Sequence, residues 1–347
     1  MSKYIKISFF LILISLPLFA ANNTKDPDPL FLISENSLYG YINREGKIAI
    51  PKRFDNAKKF SEGLAVVGNG KTYAYIDKTG ELVSDTLFTG AYDFSEGLAR
   101  VKVPGLLTGN WGYIDKTGKI AIAPQFNECG EFSEGLAAAR TDSLFGVIDR
   151  TGKFVVKPQY GYISEFSEGL AITRVGDWST GKYGYIDKKG KLVVKAIYES
   201  ASWFSEGLAY IKINGKYGYI DKNGKIVIPI KFESGADFCE GLASVKLNDK
   251  YGFINKKGKF VIEPQFYTTG NFSEGLAYVE KGGEYGYIDK SGKYVIELKY
   301  SWAVDFSNGL AKVYFSDDEY STDWGYIDKT GKVIWETTEY YDDYWDE

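Results

Sequence analysis

From Leu30 onward the apolar residues come in short bursts, each closed by Gly, Pro or a turn dipeptide. The stretch Gly207 to Ser234 shows the pattern clearly. Leu208 to Ile213 is a β-branched and aromatic run, and Tyr217 to Asp221 is another. Asn214-Gly215 between them is a strong hairpin signal, because both residues accept the positive φ of a type I′ turn. Lys225 to Ile228 forms a third run, which ends at Pro229 because proline has no N–H to give a ladder. The turn before it, Asp221 to Lys225, carries Gly224 where a type I turn with a G1 bulge needs a left-handed residue. These interruptions leave no room for the 3.6-residue stripe of an amphipathic helix. The pattern predicts an all-β chain.

The same pattern recurs along the sequence. An aromatic residue followed by a small one stands at Tyr39-Gly40, Tyr73-Ala74, Trp111-Gly112, Phe145-Gly146, Tyr183-Gly184, Tyr217-Gly218, Tyr251-Gly252, Tyr285-Gly286 and Trp324-Gly325. The spacings are 34, 38, 34, 38, 34, 34, 34 and 39 residues. A second marker, Phe-Ser-Glu-Gly-Leu-Ala and its variants, shares the period and the first two insertions. The chain is therefore a tandem array of about nine units of roughly 34 residues, each read as three short strands. Tetratricopeptide and ankyrin units have a similar period but need paired helices.

The core aromatic-Gly-Tyr-Ile-Asp-Lys-x-Gly-Lys, then Pro-x-Phe, then Phe-Ser-Glu-Gly-Leu-Ala, resembles the WG repeat family of bacterial proteins over roughly residues 30 to 336. Trp occupies the eponymous position only at Trp111 and Trp324, and Ala74 departs from the Gly. The resemblance implies an exported or envelope-associated repeat protein without a shared catalytic motif. Units of this kind cannot bury a face alone and must stack, either as an open solenoid-like superhelix or as a closed β-propeller. Propeller blades usually take four strands from about 40–45 residues. The array also begins and ends in phase, with no spare strand to latch the first unit to the last. Both points favour the open superhelix. In Tyr217-Gly218-Tyr219-Ile220 the tyrosines share one face and Gly218 and Ile220 the other, the Ile/Gly side being the expected tight contact.

Residues outside the array divide the chain further. Lys3 and Lys6 precede an apolar run from Ile7 to Ala20, followed by the small residues Ala20 and Ala21. Residues 1–21 read as a secretory signal peptide, leaving no transmembrane span after cleavage. Residues 22–336 form one repeat domain, and the acidic, aromatic tail 337–347 caps the last unit. The expected location is periplasmic, secreted or cell-surface. Two Cys in different phases, Cys129 and Cys239, are not expected to pair.

Composition removes whole classes of chemistry. With no His there is no Ser-His-Asp or Cys-His pair and no His-ligated metal. The formal charge of −4 gives no basic footprint for nucleic acid. No cofactor, metal site or enzymatic activity is expected. The in-phase Asp residues read as Asx caps of their hairpins, and the Glu before each Gly as a bond to its own turn. The repeated Tyr pair is either an inter-unit core or a sugar-stacking ladder.

Departures from the repeat are the candidate sites. The long spacings place insertions at Pro104 to Asn110, Gly176 to Gly181 and Phe315 to Asp323, all between the first and second strands of the unit as read here. Loops on one edge of an array commonly form its binding surface. Trp178 lies in one insertion and Asp317 and Asp318 in another, while Trp203 and Trp302 fall outside the repeat's aromatic positions. The expected function is a non-enzymatic scaffold that binds a protein or another envelope component through these residues. The alternative is a glycan-binding module using the aromatic ladder.

Overall fold

The computed structural model describes residues 26–104, 110–176, 180–317 and 321–340, the side chains of residues 317, 321, 339 and 340 excepted. The described residues form nine antiparallel sheets and no helix, and the sheets close into a nine-bladed β-propeller. Blade 6 is representative. Its strands are Ser200–Ala201, Ala209–Ile213, Lys216–Ile220 and Ile226–Phe232, hydrogen-bonded in that order.

Two expectations fail here. The unit has four strands, not three, in seven of the nine sheets. The extra strand is only two residues long in six of these seven sheets (six residues, Tyr162–Ser167, in blade 5), too short to show alternation; in blade 6 it comes from the stretch before Phe204, where Ser200 and Ala201 pair with Lys212 and Ile211. A unit of 34 residues thus suffices for a blade, because the strand added is minimal and its turn to the next strand has two residues. In that turn Glu206 and Gly207 take φ values of 55° and 87°, and Ser205 and Leu208 exchange both backbone bonds.

The array is also a closed ring, not an open superhelix. The Ser-Glu-Gly turns of neighbouring blades bond to one another along the inner wall, and the last blade meets the first. Ser61 Oγ donates to the Phe94 carbonyl at 2.7 Å, and Ser205 Oγ to the Phe238 carbonyl at 2.6 Å. Closure needs no spare strand because side chains make it. Phe31, Ile33 and Ile42 of blade 1 form one core with Leu310, Trp324 and Tyr326 of blade 9. The Tyr326 hydroxyl donates to the Leu32 carbonyl at 2.8 Å.

Blade 1 lacks its inner strand for a local reason. Pro27 and Pro29 stand where blade 6 has Ser205 and Gly207. Proline cannot take the positive φ of that turn. Phe31 compensates: it occupies a position that is Ala in all eight other blades. Its ring packs on Tyr326 at 5.4 Å, much as Phe238 of the inner strand of blade 7 packs on Tyr219 of blade 6 at 5.1 Å. Blade 2 has lost a regular fourth strand, keeping only the bridges Tyr73↔Phe88 and Ile76↔Leu82. Ser84-Asp85 there replace Ile228-Pro229 of blade 6.

The core lies between blades. Leu208, Tyr219, Ile228 and Phe232 of blade 6 pack against Phe238, Ala243, Val245 and Ile254 of blade 7. The Tyr face of one blade therefore meets the Ile/Gly face of the next, and neither face is privileged. Tyr219 is 0% exposed and its hydroxyl donates to the Ala236 carbonyl of blade 7 at 2.8 Å. The same bond is made by Tyr41, Tyr75, Tyr113, Tyr185 and Tyr287. Val147 and Phe253 take this position in blades 4 and 7. Gly218 permits the fourth strand to cross close by: a Cβ there would sit 2.7 Å from the Ile228 carbonyl oxygen.

Candidate functional site

The repeated carboxylates are occupied by structure. Asp221 Oδ1 accepts the N–H groups of Asn223 and Lys225 at 2.9 and 3.0 Å, and Asn43 and Asn255 make the same Asx cap. The Glu of each Ser-Glu-Gly turn does not bond to its own turn. It reaches the following blade, where Glu168 accepts the Gly207 N–H at 3.1 Å and pairs with Lys222 at 3.0 Å. Geometry explains the difference, since the left-handed Glu side chain points along the ring. Glu62, Glu96, Glu134, Glu206, Glu240 and Glu274 repeat the arrangement with Lys116, Arg150, Lys188, Lys256, Lys290 and Lys329. Asn308 replaces the Glu in blade 9, beside Gly309, where a Cβ would lie 3.9 Å from Arg44 Nε of blade 1. The second Tyr of the repeat, enclosed between blades, offers no face for sugar stacking.

Along the inner wall a second set of acids precedes the repeated Phe. Burial pushes Asp237 up to about 6 and Asp305 up to about 7, and raises Asp93 and Glu131 above the usual carboxylate range. Arg100 tempers the blade 3–4 members: its guanidinium lies 3.6 Å over the Tyr92 ring and donates to the Cys129 carbonyl at 2.6 Å. Gly130 and Ala138, both small, leave a 120 Å³ cavity between blades 4 and 5, lined also by Arg100, Ser164 and Glu165. Among the described residues no three His, Cys, Asp or Glu side chains converge to hold a metal ion.

Strand direction alternates through each blade. The second-to-third hairpins and the links from one blade to the next therefore share one face of the ring. Glu199 ties the two, accepting from Asn214 and Gly215 at 2.8 and 3.1 Å. All three insertions fall on second-to-third connections, in blades 3, 5 and 9. Of the residues singled out from sequence, Trp178 and Asp318 lie outside the described residues. Asp317 ends the second strand of blade 9, paired with Thr322, and its side chain is not described. Trp302 belongs to the same blade, is 43% exposed and lies 5.1 Å from the Tyr285 ring. Trp203 is three blades away, half-buried against the core of Ile172, Tyr185 and Phe204. The structure thus brings Trp302 and Asp317 to one blade and leaves Trp203 apart.

Blade 9 also holds residues that the sequence did not single out. Its hairpin is long, Leu310–Asp317 and Ser321–Asp328, and its fourth strand runs from Val333 to Tyr340. Pairing between the last two strands is unbroken from Ser321↔Tyr340 to Tyr326↔Trp335. In blade 6, by contrast, the register jumps between Tyr217↔Phe232 and Tyr219↔Ile228. The signal was present at Glu339, which stands where the other eight units carry Phe or Tyr, the residue that pairs with the first aromatic across the shifted register of blade 6. The extended blade carries a 410 Å³ cleft lined by Phe315, Asp323, Glu336, Thr337 and Thr338.

The chain is similar to several solved structures. Dipeptidyl peptidase 4 of Porphyromonas gingivalis matches 81% of the chain with a TM-score of 0.52 and 9% identity, the match covering 59% of that protein. The tricorn protease matches 83% of the chain, with a TM-score of 0.30, 13% identity and 35% of its own length covered. Hsv2 of Kluyveromyces lactis matches 84%, with a TM-score of 0.39, 9% identity and 95% of its length covered. The chain thus spans between 35% and 59% of the two peptidases, and at 9% identity the likeness to dipeptidyl peptidase 4 speaks to fold alone. Among curated proteins none matches the chain. Eight segments match the WG containing repeat, at residues 39–73, 73–105, 111–144, 145–177, 183–217, 217–251, 251–285 and 285–317. With these eight repeats and a ninth blade on the same plan, the chain belongs to the WG-containing-repeat family.

Proposed function

We propose that the chain is an exported, non-enzymatic binding scaffold that engages a protein or another envelope component through the propeller face bearing its insertions. The observation that carries this reading is positional. The spacing is otherwise held at 34 residues, and all three enlargements fall on the same connection and hence the same face. Exposed aromatic side chains accompany them: Tyr267, 58% exposed, lies on the link into blade 8, and Trp302 lies at the start of blade 9. Surface loops on a rigid ring are suited to recognition. The Glu ring is ion-paired and the repeated Asp residues cap their turns, so neither of these sets offers a free carboxylate pair for hydrolysis, which supports the non-enzymatic part. The charged start, apolar run and small residues at 1–21 support export.

The experiment is retention of envelope proteins by the mature chain, beside a variant whose Gly176–Gly181 connection is shortened to the 34-residue spacing. The expected result is a specific partner that the shortened variant loses. Equal retention by both, or none by either, would overturn the assignment to this face.

A further inference from the structure

We infer that the cleft of blade 9 is a saccharide site, taking a single neutral pyranose unit of a glycan; the inference rests on the scaffold reading and names the ligand of one site on that face. The floor of the cleft is aromatic. Phe315 is the extra residue of a bulge between the pairs Tyr314↔Trp324 and Ser316↔Asp323. Its ring folds over Gly325, where a Cβ would lie 3.0 Å from Phe315 Cε2. One edge is held by Tyr300 of blade 8, 5.8 Å away. An aromatic face of this kind suits the apolar C–H face of a sugar ring.

The walls supply hydrogen-bond acceptors in fixed positions. Asp323 Oδ2 accepts from Ser316 Oγ at 2.8 Å, and Oδ1 from Thr338 Oγ1 at 2.6 Å. Each carboxylate oxygen has a second lone pair, so the group is pinned and still able to accept two ligand hydroxyls. Glu336 stands opposite Gly325 in the register and is exposed. A volume of 410 Å³ falls in the range of small-ligand sites. None of the five lining residues is cationic, so two carboxylates would repel an anionic sugar. The Asp323 oxygens face hydroxyl donors, and the described residues hold no third acid to complete a cation site. None of these residues belongs to the repeat pattern.

The test titrates the mature chain with cellotriose and with chitotriose by calorimetry, with polygalacturonate as the charged control. Saturable binding of at least one neutral probe is expected, with none of polygalacturonate. Asp323→Asn should weaken it by about tenfold or more, the loss expected for a bond to a charged group, and Phe315→Ala should weaken it by removing the stacking face. Glu336→Gln, an exposed change whose thermal melt should match the parent, should also weaken it and is the variant that separates binding from stability. Failure of both neutral probes at millimolar concentration, or binding undiminished in Asp323→Asn and Glu336→Gln, overturns the inference. Tighter binding of polygalacturonate than of either neutral probe does the same. If an envelope protein is still captured through the Gly176–Gly181 loop while no sugar binds, the cleft fails and the scaffold stands. If sugar binds but no protein is captured, the cleft stands and the protein-partner reading fails.

Discussion

Glu168 holds a left-handed backbone conformation, φ 53°, that side chains rarely adopt. Its carboxylate makes that conformation worthwhile by binding Gly207 and Lys222 of the next blade. Replacing Glu168 with Ala should cost about 1–2 kcal/mol, read from a urea midpoint, since it removes a charge-assisted bond at a half-exposed site. Glu168→Gln should cost less, keeping the N–H bond and losing only the ion pair. Tyr219→Phe should cost about 1 kcal/mol, leaving the Ala236 carbonyl without its donor. The buried wall acids act through pH. Asp237 and Asp305 are held up to about 6 and about 7, above the ordinary 3.8. The folded state therefore binds more protons than the unfolded chain between about pH 4 and 7, and stability falls as pH rises through that window. The capping Asp77, Asp115, Asp149, Asp289 and Asp328 are shifted down and matter only at lower pH. The melting temperature should be higher at pH 5 than at pH 8, and Asp305→Asn should flatten the dependence. An unchanged slope in that variant would remove Asp305 from the account.

At the scale of strands and hairpins, the sequence showed what repetition makes visible. Asn214-Gly215 and Asp221-Lys222-Asn223-Gly224 announced their turns, because each turn type demands particular residues. The two-residue inner strand was invisible for the opposite reason: two residues carry no period, and only the partner strand defines them. The cleft escaped notice because its residues are brought together by register, Asp323 facing Thr338 across a ladder. The long spacing before Trp324 was legible; the straight fourth strand that made it a projecting blade needed Glu339, in place of the aromatic found there in every other unit, to be read as a signal. Replacing residues 315–323 with the Ile-Asn-Gly-Lys connection of blade 6 should therefore leave the ring folded, with a melting temperature near that of the parent. The same change should abolish saccharide binding. A variant that fails to fold would show that the projecting hairpin supports the ring.

For the molecule as a whole, the joint between blade 9 and blade 1 departs most from the repeat. Blade 1 contributes three strands there, and Asn308 and Pro29 stand where the other joints have the Glu carboxylate and the Gly N–H. Phe31→Ala should cost about 3–5 kcal/mol, since the ring fills the place of a missing inner strand against Tyr326. Amide exchange should then accelerate first in blades 1 and 9, and uniform acceleration around the ring would contradict a localised joint. This joint, made of side-chain packing with no strand exchanged between the first and last blades among the described residues, has an evolutionary consequence. Where first and last blades exchange a strand, a gene duplication that adds one unit must preserve that exchange. Here recombination can insert or delete a 34-residue cassette anywhere inside the array and leave both end blades untouched. Blade number in this architecture is thus open to change by single genetic events, limited only by how far the angle between neighbours can relax.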